Sequence, residues 1–174
     1  DLVDKGLVTN QIVLTVGYDI ENLTDPKRSK SYKGEVTTDH YGRKIPKHAH
    51  GTGNLGKYTS STREILQAVS ELYDRIVDPD LLVRRLNIVA NHVIDEASVP
   101  AQPEVEQLDL FTDYEARDRQ QAENAAALKR ERSQQEAILS IKKKFGKNAI
   151  LNGGSYLDGA TARERNGQIG GHKA

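Results

Sequence analysis

Between Glu96 and Asp118 the chain carries seven acidic residues, Glu96, Glu104, Glu106, Asp109, Asp113, Glu115 and Asp118, against one base, Arg117, together with Pro100 and Pro103. Such a stretch repels itself and favours an extended, solvated backbone. Any fold must therefore be completed by the residues before it, and most of the chain after it reads as tail. Inside the stretch lies Gln107-Leu108-Asp109-Leu110-Phe111, an apolar set that no core can reach. Leu108, Leu110 and Phe111 are then exposed unless a partner supplies a pocket, and a short extended peptide with alternate anchors is a recurring way for one chain to dock on another.

A hydrophobic fraction of 36% with 5% aromatics and 29% charged residues is too thin for a core spanning all 174 residues. The net charge of zero hides an asymmetry. From Lys27 to Arg63 nine bases face only Glu35 and Asp39, a local excess of seven, with His40, His48 and His50 in the same window. A basic region of this kind is an electrostatic footprint for polyanions. The absence of cysteine excludes disulfides and thiolate metal sites. No apolar run is long enough for a bilayer and no signal peptide opens the chain, so a cytoplasmic protein is expected. A chain that begins at Asp1 and contains no Met reads as a piece of a longer one.

Gln11–Asp19 is β-branched and aromatic and predicts a strand, with Ile12, Leu14 and Val16 on one face and Val13, Thr15 and Gly17 on the other. Residues 20–47 form a polar excursion. Within it Gly34–Thr38 and Arg43–Lys47 predict a small hairpin around Asp39-His40-Tyr41-Gly42, with Gly42 free to take positive φ. His48–Gly56 contains Gly51, Gly53 and Gly56; it is either a loop or a strand whose backbone something approaches closely. Thr59 to Thr62 supplies helix caps, and Glu64 is placed to close a capping box on Ser61. Ile65, Ala68, Val69, Leu72, Tyr73 and Ile76 recur at three and four and predict an amphipathic helix stopped by Asp78-Pro79-Asp80.

Leu81–Ile94 predicts a second strong strand. Leu86, Ile88, Ala90 and His92 share the face expected to bury against the helix, while Arg85, Asn87, Val89 and Asn91 are left for a ligand or water. The elements add up to an α+β layer, an antiparallel sheet with a helix on one face, which a further helix and strand upstream would complete. Residues 1–96 form this unit and residues 97–112 the linker with its peptide. Residues 113–151 predict a charged, solvated helix, and the Gly-rich residues 152–174 a disordered, flexible tail.

The Gln107–Phe111 pentapeptide resembles the bacterial sliding-clamp-binding motif. The resemblance implies that Gln107 docks a small polar site, Leu110 and Phe111 fill an apolar pocket, Leu108 adds a flanking contact and Asp109 faces out. The order of strand, basic hairpin, Gly-rich strand, capped helix and Val83-Arg84-Arg85-Leu86-Asn87-Ile88 is similar to the second half of the little-finger domain of Y-family DNA polymerases. The nearest likeness is to the UmuC/ImpB/MucB-like branch of Gram-positive bacteria, and it extends to the Arg-Glu-Arg-Asn and Gly-Gly-His-Lys segments at the chain's end. It implies a C-terminal fragment of an error-prone enzyme of translesion synthesis and SOS-type DNA repair. The fragment would hold DNA by its backbone and tether the parent to the clamp. The parent would be a DNA-directed DNA polymerase using Mg2+, with its catalytic acids upstream and no cofactor in this piece.

Phosphate contact needs Lys, Arg and N–H donors without base readout, which suits an enzyme that must tolerate damaged templates. The candidates are Lys47, His48, His50, Thr52, Lys57, Ser60, Arg84, Arg85 and Asn87; family members often carry Gly where this chain has Asn87. Alternation puts Arg84 on the face opposite Arg85. Ile94-Asp95-Glu96-Ala97 looks like the catalytic Asp-Glu pair of the family's palm, but it leads out of the last strand with no third acid in a palm-like order, and it reads as a solvated strand end. His48 and His50 share one side of a strand without an evident third metal ligand. Two rival readings stand beside the polymerase: a non-enzymatic clamp-binding adaptor, and a nucleic-acid-binding module whose pentapeptide is accidental.

Overall fold

The computed structural model describes residues 2–100, 114–169 and 172–173. The chain divides into two compact units, essentially Asp4–Pro103 and Glu104–Ala174. The first opens with a single helical turn, α1 (Leu2–Lys5), and is built around strand β1 (Leu7–Tyr18). β1 lies between β4 (Ala49–Thr59) and β5 (Val83–Asn91), antiparallel to both, with β6 (Ile94–Asp95) pairing at its start.

The predicted alternation along β1 holds. Ile12, Leu14, Val16 and Tyr18 are buried and form the core with Leu72 of helix α4 (Thr62–Ile76). The strand begins four residues before its expected start because Leu7 and Val8 pair with Asp95 and Ile94, partners that a local pattern cannot show. Thr9, also buried, turns its hydroxyl to the carbonyl oxygen of Asn91 where the register with β4 shifts.

The polar excursion contains two short helices that the sequence did not signal, α2 (Glu21–Thr24) and α3 (Arg28–Ser31). It is anchored by Asn22, fully buried. The Asn22 amide nitrogen donates to the carbonyls of Asp19 and Leu82 at 2.9 and 3.0 Å, and its oxygen accepts the Leu82 N–H at 2.9 Å. With every polar atom bonded, a buried amide pins the excursion to the entry of β5. The hairpin forms as expected from β2 (Val36–Thr38) and β3 (Lys44–Pro46), with Gly42 at φ +79° and an Arg43–Asp39 ion pair at 2.7 Å across the turn. The Arg43 guanidinium holds the Asp39 carboxyl below the usual carboxylate range.

Of the two alternatives for the Gly-rich segment, the strand is the one adopted. A Cβ on Gly51 would lie 2.9 Å from Leu72 Cδ1, and one on Gly53 3.2 Å from Ile12 Cγ1. The close approach is made by α4 at Gly51 and chiefly by Ile12 of β1 at Gly53, on the helix side of β4. The helix starts as its sequence predicts: Ser61 Oγ accepts the Glu64 N–H at 3.2 Å. The Ser61 N–H bonds Thr59 Oγ1 at 3.0 Å, and the Thr59 hydroxyl donates to the Glu64 carboxylate at 2.6 Å, so the box closes through Thr59.

One expectation is overturned. Leu86, Ile88 and Ala90 stand opposite Val16, Leu14 and Ile12, so they do lie on the helix side of the sheet, yet Leu86 and Ile88 remain 54% and 52% exposed. Strands sit about 4.8 Å apart and a helix is about 10 Å wide, so one helix covers about two strands. α4 packs on β4 and β1, and β5 is left uncovered. His92 does not continue the alternation either: its φ of +50° ends β5, its Nδ1 lies 3.0 Å from Asn10 Oδ1, and the chain resumes as β6.

The second unit is dominated by α5 (Tyr114–Phe145), 32 residues with none buried, closed by Gly146 at φ +92° whose N–H bonds the Lys142 carbonyl at 3.0 Å. Its mostly polar composition gives the expected solvated helix. Where a disordered tail was expected, short local elements occur: a 3-10 turn (Gly153–Tyr156), α6 (Ala162–Asn166) and the pair β7 (Gln168–Ile169) and β8 (His172–Lys173). Among the described residues no helix is long and apolar enough to cross a membrane.

Candidate nucleic-acid interface

The register of the three long strands divides their side chains between the two faces of the sheet. Opposite α4, Gln11 stands between Asn54 and Asn91, Val13 between Thr52 and Val89, and Thr15 between His50 and Asn87, while Gly17 pairs with Arg85. His50, Thr52, Asn54, Arg85 and Val89 on this face are exposed. His48 joins them, its ring 6.4 Å from that of His50 and edge-on to it.

Hydrogen bonds tie the face together across the strands. The Asn91 amide donates to Gln11 Oε1 at 3.2 Å, and Gln11 Nε2 donates to Asn54 Oδ1 at 3.0 Å. Thr15 Oγ1 lies 3.0 Å from His50 Nδ1, and Arg85 Nε donates to Asn87 Oδ1 at 3.2 Å. The surface so formed carries one fixed charge, Arg85, among amides, hydroxyls and imidazoles.

The nine predicted contact residues separate accordingly. His48, His50, Thr52, Arg85 and Asn87 come together on the open face. Lys47, Lys57 and Arg84 do not: they pair with Glu35 at 2.7 Å, Glu64 at 2.8 Å and Asp19 at 3.3 Å, and Ser60 sits just before the α4 cap. All three cations are more than half exposed. Such pairs are worth about 0–1 kcal/mol and exchange partners readily. Burial pushes the Glu64 carboxyl up, but the Lys57 ammonium and the Thr59 hydroxyl bonded to it outweigh burial and leave it below the ordinary glutamate range.

The excess of seven bases in residues 27–63 is local: residues 2–100 contain thirteen bases and thirteen acids. Much of the basic window lies in the excursion and hairpin rather than on the three long strands. Gln11, Thr15 and Asn54 are members of this face that residue type alone did not single out. Continuing the β1 alternation back through Gln11 identifies the first two, and continuing the alternation of His50 and Thr52 along β4 identifies Asn54, whose register with Gln11 confirms it.

Among the described residues no group of three or more His, Asp or Glu is arranged to hold a metal ion. Asp95 lies in β6, and its carboxylate accepts the Ala97 N–H at 2.8 Å, the local role of a capping residue at a strand end. The pentapeptide Gln107, Leu108, Asp109, Leu110 and Phe111 lies outside the described residues. Comparison of the chain with protein-family models, curated proteins and solved structures gave no match.

Proposed function

We propose that this chain is the DNA-holding and clamp-tethering C-terminal part of a Y-family translesion DNA polymerase. The observation that carries the DNA-holding role is the sheet's open side: three antiparallel strands, two of them packed under α4 on one face, present exposed hydrogen-bonding side chains and Arg85 on the other. Phosphate oxygens accept such bonds from any sequence. The tether rests on the pentapeptide in its acidic linker, whose Leu110 and Phe111 suit an apolar pocket on the clamp. The nucleotidyl transfer itself, with its Mg2+ and carboxylates, belongs to the parent outside these 174 residues.

Two measurements on the full chain test the reading. Fluorescence anisotropy with labelled duplexes of unrelated sequence is expected to give equal affinities, and a marked preference for one sequence contradicts backbone holding. Retention on an immobilised bacterial sliding clamp is expected to disappear in Leu110→Ala and Phe111→Ala. Undiminished retention removes the tether.

A further inference from the structure

We infer that one nucleic-acid strand runs lengthwise along β4, with successive phosphates seated on the file His48, His50, Thr52 and Asn54. This rests on the DNA-holding reading above and specifies its path. The four side chains are all exposed and recur at every second residue, whereas Ala49, Gly51 and Gly53 between them turn toward α4. Alternate residues on a strand are about 6.8 Å apart, comparable to the step between phosphates on an extended nucleic-acid strand, whereas neighbouring strands lie about 4.8 Å apart. A path across the strands would put its rungs too close together.

Phosphate oxygens only accept hydrogen bonds, so each rung must offer a donor. Cross-strand bonds bear on this at Asn54 and His50. Asn54 receives the Gln11 amide proton on its oxygen, which leaves its NH2 for a ligand. Thr15 Oγ1 lies against His50 Nδ1, so Nε2 is the ring nitrogen left for a ligand, a donor in the tautomer whose Nδ1 accepts the Thr15 hydroxyl. Thr52 stands opposite Val13, which cannot engage its hydroxyl.

The other two files do not offer a continuous path. On β1 the amide of Gln11 bridges Asn91 and Asn54, and the file is broken by Val13 and Gly17. On β5, Val89 interrupts the row, and Asn91 spends a donor on Gln11. Gln11 and Asn91 act as positioning residues, since the direction of their bonds sets which end of the Asn54 amide faces out.

The test is duplex binding by anisotropy with the full chain. Thr52→Val and Asn54→Ala remove one rung each, and Thr52→Ser keeps the hydroxyl. Val89→Thr and Asn91→Ala probe β5, with melting curves confirming that each variant is folded. A neutral hydrogen bond of about 0.5–1.5 kcal/mol corresponds to roughly 2- to 12-fold in affinity. Each lost rung is expected to weaken binding within that range, the double variant by about the product, with Thr52→Ser restoring wild-type affinity and Val89→Thr changing it less than about twofold; Asn91→Ala is expected to weaken binding only in the presence of Asn54. If the wild type binds and the rung variants bind equally well, the path is wrong while DNA holding survives. A larger change in affinity from Val89→Thr, in either direction, than from the rung variants places the strand on β5 and overturns the inference. Failure of the wild type to bind duplex overturns both.

Discussion

Strands β4 and β5 flank the same central strand, yet each contradicts what its composition suggests. β4 has almost no apolar bulk and lies under the helix, with Ala49, Gly51 and Gly53 admitting Leu72 and Ile76 to the core. β5 is rich in Leu, Ile and Val and lies in the open, with Leu86, Ile88 and Val89 all more than half exposed. The difference shows that burial here is decided by where a single helix rests. Small residues let it come close, while large residues on the strand it does not reach stay wet. The same arrangement leaves the reverse side of β4 as a file of donors.

Substitutions can break this contrast, and the largest effect belongs to the helix. Leu72→Ala removes the buried centre of the α4 contact and is expected to cost about 2–5 kcal/mol in denaturant unfolding. Next, Gly51→Val forces a side chain against Leu72 and Ile76 and is expected to cost about 1–3 kcal/mol. If it is tolerated, the helix is not seated where its contacts place it. Ser61→Ala removes the cap oxygen and is expected to cost about 1 kcal/mol. At the other extreme, Ile88→Thr on β5 is expected to change stability by no more than about 0.5 kcal/mol. A cost matching that of Gly51→Val would mean that β5 is covered after all.

Acid adds a smaller, directional test of the α4 start. The Glu64 carboxyl is lower in the folded chain than its ordinary value. Its ionised form therefore contributes stability that is present above the ordinary glutamate range and is lost as pH falls through the folded value. A shallow loss of stability at acid pH is expected in the wild type, and Glu64→Gln is expected to flatten that part of the profile. An unchanged profile would separate Glu64 from Lys57 and Thr59.

What was legible in the sequence was periodic and local. Ile12, Leu14 and Val16 declared the core face of β1, the recurrence from Ile65 to Ile76 declared α4, and Asp39 to Gly42 declared the hairpin turn. What failed was non-local. Alternation assigned Leu86 and Ile88 to the correct face but cannot say whether anything lies over it. Asn22 lies in the polar excursion and is a buried anchor because Leu82, sixty residues away, supplies two of its partners. The candidate face was half legible. Residue type suggested His48, His50, Thr52, Arg85 and Asn87, whereas the row of hydrogen bonds through Asn91, Gln11 and Asn54 exists only through strand register, and the pairing of Lys47, Lys57 and Arg84 with acids only through the fold.

The most direct measurement of the central claim is an amide-resolved NMR titration of the full chain with a short duplex. The predicted result is a contiguous set of perturbed signals at Thr15, His50, Thr52, Asn54 and Arg85, with Leu66 on the outer side of α4 unmoved. Perturbation centred on Leu66, or a sheet whose signals do not respond at saturating duplex, would contradict it.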